Sequence, residues 1–229
     1  MMWHSKQIVR LSLVLLVAGL VIVAGCQKPI PPTPPVPPTP TTTPTAPAEP
    51  ANPKPEESKV ETQPGHSIVK METSKGVITL ELFDKETPIT AGSFLLLVES
   101  GYYNGVTFHR IVPNFVIQGG DPTGTGAGGP GFTIPDELRP ELKHERGMLS
   151  MAKTAAPDTG GSQFFVVTGG PETVSHLNMK HAVFGKVLEG MDVVDKIAVG
   201  DKMVKVTVEK ESADAAAAKA AAEKARVKG

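Results

Sequence analysis

Cysteine is nearly absent from this 229-residue chain, and a single one, Cys26, excludes an intramolecular disulfide and any zinc site built on several thiolates. Histidine does not make good the loss. His109, His144, His176 and His181 fall in no metal-binding pattern such as His-Glu-x-x-His, so no metal or other cofactor is expected. Net charge is equally scarce: 23 Lys and Arg stand against 24 Asp and Glu, a net of −1, which gives no electrostatic case for nucleic acid as a partner. The apolar run at residues 11–23 falls short of the ~20 residues of a comfortable membrane span. What is present in quantity is a hydrophobic share of 40%, enough for a real core in one or two domains.

The two ends of the chain do not read as globular. Lys6 and Arg10 precede the apolar run, which closes in Val-Ala-Gly-Cys at residues 23–26. Basic start, apolar centre and small residues are the pattern of a secretory signal, residues 1–25. The last four resemble the lipobox of bacterial lipoproteins, in which the cysteine is lipidated after cleavage. That resemblance implies lipid attachment at Cys26, and two acyl chains would give a firm anchor. The expected location is therefore the cell membrane or the outer membrane, facing the extracytoplasmic side. Cleavage would also remove two cations and leave 21 basic against 24 acidic residues, a net of −3.

Residues 26–65 form the next unit, in which residues 28–64 carry 14 of the chain's 22 prolines among Thr, Ala and Glu. Such a segment buries too little apolar surface to offset its ordering entropy, so it is read as an extended tether rather than a docking site. At about 3.1 Å per residue it would span up to roughly 100 Å. At the other end, residues 212–229 are rich in Ala, Lys and Glu with late Lys224, Arg226 and Lys228, which predicts a helix. No apolar stripe is evident to dock it. A solvated, fraying helical tail is expected.

Between them, residues 66–211 read as one domain of many short strands. Ile78, Leu80 and Leu82 alternate with Thr79 and Glu81, and a hairpin with residues 68–73 follows. Thr87-Pro88 predicts a helix start with the threonine as cap, Ala91, Phe94, Leu95 and Val98 on one face, and Gly101 past the end. Further strands are expected at residues 147–152, 164–167, 182–188 and 202–209, with a short helix over 191–199. Short strands with few helices suggest a mainly β, closed antiparallel barrel, which removes free edges. The glycine-rich residues 122–131 lack the lysine of a phosphate-binding loop and are read as tight turns.

The chemistry concentrates in FHRIVPNFVIQGGD, residues 108–121, where Arg110, Phe115 and Gln118 offer a cation, an apolar wall and an amide. A strand bent at Pro113-Asn114 would bring them to one surface. Almost nothing in the stretch could act as a nucleophile. Together with GMLSMA at 147–152, GSQFFVV at 161–167 and HAVFGKV at 181–187, in that order, it resembles the cyclophilins, peptidyl-prolyl cis-trans isomerases. The resemblance covers roughly residues 67–211 and implies an eight-stranded barrel capped by two helices.

It also implies rotation about Xaa-Pro bonds without a covalent intermediate. That rotation faces a barrier near 18–20 kcal/mol and relaxes in roughly 10–100 s unaided. Arg110 is cast as donor to the proline nitrogen, a role that suits a permanently charged planar fork. Gln118 would hold the peptide backbone and Gln163 would position Arg110 or substrate. Phe115, Phe165 and Leu177 would form the proline socket with Val116 at its edge, Ala152 would leave room for backbone, and His181 would complete the wall. Two departures from the familiar eukaryotic pattern, Val116 for methionine and His176 for tryptophan, imply weak cyclosporin inhibition with activity retained. Expected partners are proline-containing unfolded or extended polypeptides, met by a monomer that assists folding of exported proteins. The competing reading is a peptide-holding chaperone or scaffold without turnover.

Overall fold

Apolar rows on two neighbouring strands set the first hairpin, although Thr79 and Glu81, expected on the half-exposed face of the second, are buried too. In the computed structural model, which describes residues 65–228, β1 (Ser67–Thr73) and β2 (Gly76–Leu82) pair antiparallel, with Val69 opposite Leu80 and Met71 opposite Ile78. The signal run, Cys26 and the proline-rich linker lie outside the described residues. The other strands are β3 (Arg110–Val112), β4 (Val116–Gly119), β5 (Phe132–Thr133), β6 (Met148–Met151), β7 (Phe164–Val167), β8 (Val183–Glu189), β9 (Met203–Lys210) and β10 (Val227–Lys228). Eight of them form one antiparallel sheet in the order β3-β4-β7-β6-β8-β2-β1-β9, while β5 pairs only with β10.

The expected closed barrel is corrected to a curled sheet, because the end strands β3 and β9 form no ladder with each other. The segments preceding them meet instead: Thr107 and Lys202 form an isolated bridge, and the Phe108 and Gly105 amides donate to the Asp201 and Met203 carbonyls at 2.8 and 2.7 Å. A three-residue β3 is too short to carry a closing ladder. Inside the curl, fully buried Phe94 meets the edge of Phe164 at 5.4 Å and packs on Phe184 at 5.3 Å. Such aromatic pairs add about 0.5–1.5 kcal/mol each beyond their burial.

Phe94 belongs to α1 (Pro88–Glu99), and the predicted face of Ala91, Phe94, Leu95 and Val98 is buried. Its N-terminus is held differently from the expectation. Thr87 makes no cap; its hydroxyl donates to the Phe83 carbonyl at 3.1 Å. The carboxylate of Glu137, 47 residues further along, accepts the amides of Ile89 and Thr90 at 3.1 and 2.6 Å. A negative charge there also suits the helix dipole, since the first turn of α1 has no acid of its own.

Two short helices, α2 (Pro171–Val174) and α3 (Met191–Val194), and a 3-10 turn at Ser175–Leu177 complete the body. The helix expected over 191–199 is thus four residues long. The tail departs furthest from expectation. It forms a helix, α4 (Ala215–Ala225), but a docked one, with Ala215, Ala218 and Ala222 fully buried against α1. Alanines at that spacing are a stripe too small to register as apolar periodicity. They suffice because Gly92 of α1 faces the Ala218 backbone so closely that any Cβ at 92 would collide with it.

Candidate active site

The stretch expected as one bent strand is a hairpin. Asn114, at φ 54°, turns the chain between β3 and β4, and the Phe115 amide donates to the Val112 carbonyl at 3.1 Å. Arg110 then stands directly opposite Gln118, and Gln118 opposite Phe165 on β7. Cross-strand partners project to the same face, so register rather than a kink brings these three side chains to one surface. The exposed Arg110 guanidinium donates through Nη1 to Gln118 Oε1 at 3.3 Å. Gln118 passes its Nε2–H to Gln163 Oε1 at 2.9 Å, and Gln163 Nε2 donates to the Gly126 and Gly128 carbonyls, both at 2.9 Å.

Beside this polar arm lies an apolar floor. Val116, Phe165, Val167, Val174 and Leu177 form a buried cluster separate from the main core, with Phe115 and Ala152 packed against it. Pleating explains the division between neighbours: Phe164 enters the main core and Phe165 the floor. The cavity above holds about 250 Å³ and is lined by Arg110, Phe115, Val116, Gln118, Ala152, Lys153, Phe165, Leu177 and His181. Every expected site residue in the described part except Gln163 therefore meets in one socket. Gln163 sits next door, in a larger depression of about 720 Å³ that shares Gln118, Ala152 and Lys153 with the socket.

Burial shifts three histidines around the site toward the neutral form. Burial lowers the pKa of His181, whose Nδ1–H donates to the Met151 carbonyl at 3.1 Å and whose ring meets the edge of Phe165 at 5.5 Å. Burial likewise lowers His144, held between Asn178 Oδ1 and Ser150 Oγ at 2.9 Å each and stacked on Phe165 at 5.9 Å. His109, beneath the glycine-rich loop, is lowered by burial as well. His176 lies outside the socket lining and stacks on Phe115 at 5.6 Å.

The far wall rests on Asp121. Burial works against its charge, but the Thr123 hydroxyl and amide and the amides of Gly126 and Gly128 outweigh it and hold the carboxyl far below its usual range. Those donors lie 2.6–3.1 Å from the two carboxylate oxygens. Gly128 permits the approach, since a Cβ there would collide with the Asp121 carboxylate. Sequence analysis singled out neither Asp121 nor Lys153, which borders both depressions and pairs with Asp136 at 2.9 Å. Its adjacency to Ala152 in GMLSMA was the available signal. Among the described residues no group of His, Cys, Asp and Glu is arranged to hold a metal ion, and no helix is long and apolar enough to cross a membrane.

A cation, two carboxamides and an apolar socket on a curled antiparallel sheet define a site that grips an extended peptide without a nucleophile. Comparison with known proteins agrees. The family model of the cyclophilin-type peptidyl-prolyl cis-trans isomerases matches residues 68–216. The chain is 49% identical over 133 residues to peptidyl-prolyl cis-trans isomerase B of Bacillus subtilis, covering 58% of this chain and 90% of that one. It is 46% identical over 151 residues to a peptidyl-prolyl cis-trans isomerase of Helicobacter pylori, covering 65% and 90%. Among solved structures, a cyclophilin-type isomerase of Cryptosporidium parvum superposes with a TM-score of 0.60 at 33% identity, over 64% of this chain and 99% of that one. The chain belongs to the cyclophilin family and is a peptidyl-prolyl cis-trans isomerase.

Proposed function

We propose that this isomerase is a lipid-anchored folding catalyst of the cell envelope, acting on proline-containing segments of exported proteins, with Arg110 as its catalytic donor. The arrangement that carries the chemical part is the chain Arg110–Gln118–Gln163 beside the Phe115–Phe165–Leu177 socket. A proline ring seated on the apolar floor puts its nitrogen within reach of the guanidinium. Donation there opposes delocalisation of the nitrogen lone pair into the carbonyl, and so favours the twisted amide over either planar form. Gln118 and Gln163 hold the flanking backbone, and Ala152 leaves space for it. His181 closes the wall as a neutral ring. The Cryptosporidium parvum relative was also solved in the presence of the dipeptide Ala-Pro, which supports a proline ligand here.

The envelope part rests on the sequence. Lys6, Arg10, the apolar run and Val-Ala-Gly-Cys support lipid attachment at Cys26, and the proline-rich residues 28–64 give the domain reach from the membrane. Gln27 after the cysteine is compatible with an outer-membrane destination in a two-membrane cell.

Two measurements test the reading. Isomerisation of a short Xaa-Pro peptide should be fast with the intact chain and fall about 10²-fold or more with Arg110→Ala, in the range for removing a donor to a transition state. Retained peptide binding without turnover in the intact chain would favour the chaperone or scaffold alternative. Metabolic labelling with palmitate should mark the chain and be lost with Cys26→Ser; an unlabelled chain would overturn the anchor.

A further inference from the structure

The docked tail reaches the groove. Its start is fixed where the Ser212 hydroxyl donates to Asp84 at 2.6 Å and the Ser212 amide donates to Ser67 Oγ at 3.0 Å. Its middle lies on α1, with Lys219 paired to Glu99 at 2.7 Å and to Glu211 at 3.1 Å. Its end leaves α4 as an extended segment in which Arg226 lies 4.3 Å above the Phe132 ring, and β10 then pairs Val227 with Thr133 and Lys228 with Phe132. Phe132 and Thr133 are β5, a two-residue strand that borders the larger depression and has no other partner strand. The wall on which the polar arm ends is therefore held in its middle by Gln163 on the Gly126 and Gly128 carbonyls, at its beginning by Asp121 and at its close by residues 226–228.

We propose that residues 212–228 act as a brace for this wall, with Arg226 as a positioning residue that sets affinity for the substrate residues flanking the proline. This rests on the isomerase reading of the site. The socket and the larger depression share Gln118, Ala152 and Lys153, so a polypeptide with its proline in the socket continues onto the braced wall. Arg226 touches no substrate. It acts through Phe132, by a cation–π contact that the compact ammonium of a lysine would reproduce poorly.

The test uses the full chain, the chain ended after Ala225 and the variants Arg226→Ala and Arg226→Lys. Ending after Ala225 keeps the whole of α4 on α1. Amide hydrogen exchange over residues 126–133 should quicken about tenfold in the shortened chain and several-fold in Arg226→Ala, while β1, β2 and β9 stay protected. For a peptide long enough to cover both depressions KM should rise about three- to tenfold at unchanged kcat, with Arg226→Lys recovering only part. A minimal Xaa-Pro peptide confined to the socket should show no change. Unchanged exchange at 126–133, or an equal loss on both peptides, overturns the brace. If shortening loosens the whole sheet, Arg226→Ala alone decides. If the intact chain turns over neither peptide, the isomerase reading fails, and exchange together with the Kd of the long peptide still decides the brace.

Discussion

On one side of the groove Arg110, Gln118 and Phe165 stand in register on three paired strands. On the other, residues 122–133 hold their path through the Asp121 carboxylate, the Gln163 amide on the Gly126 and Gly128 carbonyls, and a two-residue strand pair with residues 227–228. The strand-built wall is over-determined: each side chain is placed by ladder bonds shared with neighbours. The loop-built wall hangs on a few contacts, so single substitutions there should alter its order and substrate selection before they alter the fold. On the proposed reading the first wall carries the chemistry and the second the fit.

The largest effect should come from the strand wall. Arg110→Lys keeps a cation but loses the planar fork, so it should recover only a small part of the roughly 10²-fold loss expected of Arg110→Ala. Recovery of nearly full kcat/KM would show that charge alone suffices there. Next comes the anchor of the loop wall. Asp121→Ala leaves the amides of Gly126 and Gly128 without their acceptor and should cost about 1–3 kcal/mol in denaturant unfolding, with faster exchange over 122–131 and a raised KM. An unchanged midpoint would mean that the loop holds its shape without the carboxylate.

The tail offers a smaller contrast. Gly92→Ala drives a methyl group into the Ala218 backbone and should destabilise the chain by about 1–3 kcal/mol, with loss of protection in α4 rather than in the sheet. Uniform loss of protection would indicate that α1 itself, not its contact with α4, is disturbed.

The smallest effect is in pH. His144 has its folded pKa lowered by burial below an ordinary value of 6.5, so the unfolded chain binds the extra proton first. Its contribution to stability is complete above about 6.5 and declines as pH falls through the lowered value. Thermal unfolding at pH 7.5 and 5 should therefore show a smaller drop for His144→Gln than for the parent. Equal drops would place the acid sensitivity elsewhere.

Much of the site was legible because it is strand-borne. Arg110, Phe115 and Gln118 lie in one short stretch, and Phe165 and His181 stand in short motifs of their own, so local pattern and family resemblance were enough to select them. Legibility failed where partners are distant. Glu137 caps α1 from 47 residues away, and no local signal marks a carboxylate as another element's cap. Asp121 went unmarked because its carboxylate accepts mainly backbone amides, which carry no sequence signature. Lys153 was passed over because a lysine beside a motif reads as surface, although Asp136 holds it at the rim of both depressions.

Sequence by itself determined the longer strands, the hairpin of β1 and β2 and the residue types of the polar arm, since periodicity and motif spacing are local properties of the chain, but not the division of residues 108–121 into two strands. Tertiary structure alone decided that the sheet curls without a closing ladder, that Gly92 opens a seat for the alanines of α4, and that the C-terminus reaches the groove. Those outcomes depend on close approach between backbones far apart in sequence, where a missing Cβ or a single distant carboxylate matters more than any periodic pattern.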